Sequence, residues 1–68
     1  MESKNRIPRN FKIIIATCIS GNAEGCRMVI TKDDGGYHGR EIDTGRTWRL
    51  FPSHIRNPHV FEIESVEF

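Results

Sequence analysis

From Phe11 onward the chain alternates in a way that suits extended backbone. Phe11, Ile13, Ile15, Thr17 and Ile19 fall on one face of a strand, with Lys12, Ile14, Ala16 and Cys18 on the other. Three consecutive isoleucines favour strand over helix, because β-branched side chains lose rotamer freedom on a helix and fit a pleated surface. With Ile14 apolar as well, the spacing predicts a central strand covered on both faces. Ser20, Gly21, Asn22, Ala23, Glu24 and Gly25 then form a loop rich in turn formers. Alternation resumes over Cys26–Lys32, with Cys26, Met28 and Ile30 on one side, so the first two strands make a hairpin with a long loop. Asp33, Asp34, Gly35 and Gly36 are the clearest turn in the chain, since glycine supplies the positive φ that tight turns demand. A third strand is expected from Tyr37 through Ile42. Asp43, Thr44, Gly45 and Arg46 reverse the chain into a fourth, Thr47 to Phe51, where Trp48 and Leu50 share a face and which Pro52 ends.

Residues 52–58 are too few for a stable helix and predict one 3₁₀ turn that plugs Ile55 into the core. The last strand opens at His59. Phe61 and Ile63 share one parity and Val66 and Phe68 the other, so the period breaks near Glu64 and Ser65, which a bulge or a change of sheet face would reconcile. Residues 1–10 are polar, contain Pro8 and show neither apolar period, so they read as a flexible basic arm ahead of a single β domain spanning 11–68. Five strands with short connections and one turn before the last predict an all-β fold, a small five-stranded SH3-like (or OB-like) barrel. Leu50, Phe51, Pro52 and Ser53, followed by a short turn, resemble the corresponding place in signalling SH3 domains. The paired tryptophans and acidic-aromatic surface that let those domains hold proline-rich peptides are missing, so no function is carried across.

Composition bounds what such a domain can do. With 68 residues the core is small and leaves little room for a deep active site. The formal net charge is +1, too little to drive binding to nucleic acid or an anionic membrane by itself. The charge is unevenly spread: Lys4, Arg6, Arg9 and Lys12 face only Glu2 near the start, whereas Glu62, Glu64 and Glu67 stand without a base at the end. The longest apolar run, Phe11 to Ile19, falls well short of the roughly 20 residues of a membrane-spanning helix. Its short, β-branched centre also makes a poor secretory leader, so a cytoplasmic protein that keeps its N-terminus is expected.

Cys18 and Cys26 flank the first hairpin loop and are expected to be cross-strand neighbours. Two free buried thiols, a disulfide, and a zinc site completed by two of His38, His54 and His59 all remain open. For zinc, Cys18, Cys26, His54 and His59 are the candidate ligands, although seven residues separate the cysteines where zinc knuckles leave two to four. No imidazole is placed beside a thiol by sequence, and Glu62 and Glu64, though of one parity, suit a solvated strand better than a catalytic pair. The expectation is therefore no enzyme and no cofactor.

The richest surface lies between Tyr37 and Arg56, where Tyr37, His38, Arg40, Arg46, Trp48, Arg49, His54 and Arg56 are the candidate binding residues. Arginine, tyrosine and tryptophan are enriched at interface hot spots, which points to a non-catalytic binding or regulatory protein with a protein partner. The same residues suit a barrel that binds RNA or single-stranded DNA by stacking bases on Trp48, but near-neutral charge favours the protein partner. A homodimer through exposed edge strands is a further reading.

Overall fold

A computed structural model describes residues 7, 8 and 10–68. The elements follow the order β1 (Ile13–Cys18), β2 (Arg27–Asp33), β3 (Gly36–Glu41), β4 (Thr47–Leu50), α1 (Pro52–Arg56) and β5 (Phe61–Glu67). All strands join one antiparallel sheet in the order β4-β3-β2-β1-β5. Consecutive strands β1 to β4 are a meander; β5 then returns to the free side of β1.

Register decides which face each residue serves. Ile14 lies opposite Ile30 and Ala16 opposite Met28; Ile30 in turn faces Gly39, and Gly39 faces Trp48. These residues define an inner face carrying the fully buried Ile14, Met28, Ile30 and Phe61. The isoleucine run is covered on one face and not, as its composition suggested, on both: Ile14, Ala16 and Cys18 are buried, while Ile13, Ile15 and Thr17 on the outer face are only half-buried because, among the described residues, no second layer packs there. In β5 the pairing shifts between Ser65 opposite Ile15 and Ile63 opposite Ala16, which leaves Glu64 bulged. The bulge puts Phe61, Ile63 and Val66 on one face despite their unequal spacing, resolving the parity break read from the sequence.

The sheet is not closed by hydrogen bonds, since β4 and β5 each pair on one side only. The all-β expectation holds, and the five strands form one open sheet, a strongly curled one. Laid flat, its edge strands would sit about 19 Å apart, four strand spacings. Yet Leu50 of β4 and Phe61 of β5 line the same cleft of about 300 Å³. The expected 3₁₀ turn is α-helical: Phe51 O accepts from both His54 N (2.9 Å) and Ile55 N (3.2 Å). Pro52 at its first position has a fixed φ suited to a helix start, and Ile55 plugs the core as anticipated.

Most of the arm expected over residues 1–10 lies outside the described residues. Ile7 is the exception that matters, because it belongs to the core cluster, so packed chain begins before Phe11. A single apolar residue ahead of the alternating run carries no periodicity to announce it. Phe11 is buried, stacks on Tyr37 with ring centroids 6.2 Å apart, and carries the Lys32 ammonium over its ring. No helix among the described residues is long and apolar enough to cross a membrane.

Candidate functional site

The cleft opens on the inner face where the curl brings β4 and α1 toward β5 and the β1–β2 loop. Its floor is apolar, formed by Met28, Leu50 and Phe61, with Trp48 and Cys18 on the walls and His54 and Asn22 among the polar residues that border it. The β1–β2 loop keeps its shape through backbone bonds. Cys18 N donates to Cys26 O at 2.8 Å and Gly25 N to Cys18 O at 2.7 Å, with Gly25 at φ 88°. That φ belongs to the left-handed region that glycine alone enters cheaply. Ala23, at the loop's centre, is buried and so anchors it to the core.

Trp48 is half-buried and held by a carboxylate that the sequence does not advertise. Glu41 is the one buried charged residue among those described, at 6 % exposure. It accepts from Trp48 Nε1 at 2.5 Å and from Thr44 Oγ1 at 3.0 Å. The hydrogen bond from Trp48 holds the Glu41 carboxyl below its ordinary pKa, with Thr44, Cys26 and the Arg46 charge acting in the same direction. Arg46 also places its guanidinium 5.7 Å from the Trp48 ring centroid, a cation–π arrangement. The indole is thereby fixed in the cleft wall by an in-plane hydrogen bond at one edge and a cation over its face. Preorganised aromatic walls lose little side-chain entropy when a ligand arrives.

A carboxylate whose folded pKa is depressed stabilises the fold above its unfolded pKa, and that contribution fades as pH falls toward the folded value. Glu41 therefore supports the domain near neutral pH, and that support fades progressively as pH falls below the ordinary carboxyl value of 4.5. Glu41→Gln should lower the melting temperature by about 5 °C at neutral pH. It should also flatten the fall in melting temperature between about pH 6 and about pH 3. Some acid sensitivity should persist through Asp33, which the Gly35 backbone N–H likewise holds below its ordinary value. Thermal melts by circular dichroism across that range provide the check, and an unchanged acid slope in the variant would remove Glu41 from the account.

The thiols are cross-strand neighbours, as their positions predicted, and both are free. Cys18 Sγ donates to the Ser20 carbonyl at 2.9 Å. Burial raises the Cys26 thiol above its ordinary pKa, and its hydrogen bond to Glu41 adds to the rise. The proposed zinc set does not assemble: among the described residues no three His, Cys, Asp or Glu side chains gather as metal ligands around Cys18, Cys26, His54 and His59.

The eight sequence-predicted binding residues do not form one surface. Tyr37 and Trp48 lie on the inner face, Tyr37 against Phe11 and Trp48 in the cleft wall. His38 and Arg40 lie on the outer face with Arg49 directly opposite His38, and His38 Nε2 sits 3.3 Å from Asp33 Oδ1. Arg49 also borders the cleft, as does His54 on α1; Arg56 is exposed at the end of α1. Trp48 with Arg46 over its ring, and Arg49 and His54 at the cleft's border, are thus the members that the fold brings together. Missed by sequence were Glu41 and the apolar floor of Met28 and Phe61. Phe51 makes an exposed neighbour to the rim, its ring edge-on to His54 at 5.6 Å. Comparison of the chain with protein-family models, with curated proteins and with solved structures finds no match.

Proposed function

We propose that the chain is a non-catalytic binding or regulatory protein that seats an apolar side chain of a protein partner in the cleft beside Trp48. The observation that carries this is the apolar cleft of about 300 Å³, at the lower end of the size range of ligand pockets. A volume so small suits one large side chain rather than a cofactor. Trp48, with the Arg46 guanidinium over its ring, supplies the residue types that dominate binding energy at protein interfaces. Cys18, the thiol that lines the cleft, directs its S–H to the Ser20 carbonyl, which favours binding over nucleophilic chemistry. The free thiols favour a reducing, cytoplasmic compartment. The curled sheet, with α1 joining its two edge strands, supports an SH3-like barrel whose seam is left open as the binding cleft.

Trp48 fluorescence is the direct readout. Short peptides bearing a central Phe or Leu should quench or shift it, and an alanine peptide should not. Asn22→Phe, an exposed loop position bordering the cleft, should occupy the space and weaken peptide binding at least about tenfold without touching the core. A response to oligouridine or oligothymidine that collapses with added salt, with none to peptides, would instead assign the aromatic wall to nucleic acid.

A further inference from the structure

The outer face of the sheet departs from the rule for a sheet with one side in water. Outward positions of such a sheet are polar. Here β1 presents Ile13 and Ile15 and the central strand β2 presents Val29 directly opposite Ile15, all three half-buried. The charges that border this apolar strip are sorted by sign. On one side, Arg40 lies opposite Val29 and Arg49 follows on β4, both exposed, while the Asp33 carboxylate on that side is engaged by the Gly35 N–H and by His38. On the other, Glu62 lies opposite Thr17 and Glu67 opposite Ile13, both exposed on β5. Arg27 and Glu64 already satisfy each other in an ion pair that reaches across β1. The polarity therefore runs across the strands: basic, apolar, acidic.

Such a face is complementary to itself under one symmetry operation. A two-fold axis parallel to the strands exchanges the left and right sides of a facing copy. It sets each acidic edge over a basic edge, and each apolar strip over its counterpart. A two-fold perpendicular to the strands would superpose like charges, which costs several kcal/mol at an interface. The small net charge of +1 adds little long-range repulsion between copies. We propose that two copies of this chain associate outer face to outer face about an axis parallel to the strands, their sheets stacked about 10 Å apart. The molecule measures 34 × 26 × 20 Å, so even its broadest side offers only about the 800 Å² per partner of a standard interface. Association is accordingly concentration-dependent, and it leaves the inner-face cleft open.

The test is a charge swap read by sedimentation of the full chain from about 10 μM to about 1 mM, the range expected for an interface of this size. The unmodified chain should move from monomer toward dimer, and salt at about 1 M should weaken the dimer. Arg40→Glu alone, and the double variant Glu62→Lys/Glu67→Lys alone, should each weaken dimerisation at least about tenfold. Mixed in equal amounts, the two should form a heterodimer close to the original affinity, because both edge contacts again oppose unlike charges. That rescue also shows that both variants are folded. A chain that stays monomeric throughout, or a mixture that fails to associate, overturns the proposal. So does a dimer unaffected by either swap, which would point to pairing along the edges of β4 or β5.

Discussion

Phe61→Ala is expected to leave most of the chain unfolded at physiological temperature. Phe61 is the largest fully buried side chain, at 1 % exposure, and it sits opposite Cys18 at the start of β5. Truncating a buried phenylalanine costs about 3–5 kcal/mol, part of it lost transfer energy and part the cavity left behind. A core of this size rarely supplies more than about 3–5 kcal/mol in total. The two quantities are equal within their spread, so the folded population should fall from nearly all to a minority. Location makes the loss worse, because β5 pairs with β1 alone and its other side is an edge. Phe61 also shares the floor of the cleft with Met28 and Leu50, so the cavity adjoins open space and admits water. Urea titration followed by circular dichroism checks this: the variant should show little or no folded baseline, whereas Phe61→Leu should retain a cooperative transition at lower urea. A midpoint for Phe61→Ala close to that of the unmodified chain would mean that β5 is held by its backbone ladder and not by this ring.

The parts of the fold that were legible in the sequence are those governed by strand parity and turn chemistry. Ile13, Ile14 and Ile15 predict a strand paired on both edges, which β1 is, but not that its outer face stays only half-buried. The unequal spacing of Phe61, Ile63 and Val66 announced a bulge, and Glu64 is bulged. Cys18 and Cys26 were placed opposite each other from loop symmetry alone. What escaped notice depends on register between strands distant in sequence. Glu41 looks like any polar residue ending a strand, and only its closeness to Trp48 through the β3–β4 hairpin reveals its role. The binding cluster was assembled by proximity along the chain, and alternation then divided it: Tyr37 and Trp48 went inward while His38 and Arg40 went outward. Parity was available for each strand separately. How the sheet curls to bring Leu50 toward Phe61 was not, because curl arises from the bulge, the twist and the packing of Ile55 together.

Gly39→Ile should destabilise the domain by about 3 kcal/mol, the upper end of the usual cost of overpacking. Gly39 is buried in β3 between Ile30 on one neighbouring strand and Trp48 on the other. A Cβ built there would lie 3.0 Å from Met28 Sδ and 3.2 Å from Leu50 Cδ1. Its φ lies outside the positive range, so the backbone itself would accept any side chain and the barrier is one of space alone. Gly36 is the opposite case, with φ 116° and no atom within 4 Å of the added carbon, so substitution there is opposed by backbone strain. The distinction predicts a graded series at position 39. Gly39→Ala needs small displacements of the flexible Met28 thioether and of the Leu50 methyl, and it recovers about 0.4–1 kcal/mol by restricting the unfolded chain, so it should be close to neutral. Gly39→Ile adds branches that Leu50 cannot avoid. Leu50→Ala removes the obstructing methyls, so the double variant should be more stable than the sum of the two single effects by about 0.5–3 kcal/mol. Chemical denaturation of the four proteins of this cycle measures the coupling directly. Strict additivity would show that the isoleucine is accommodated elsewhere, and that the inner face is looser at Gly39 than its 3.0 and 3.2 Å contacts require.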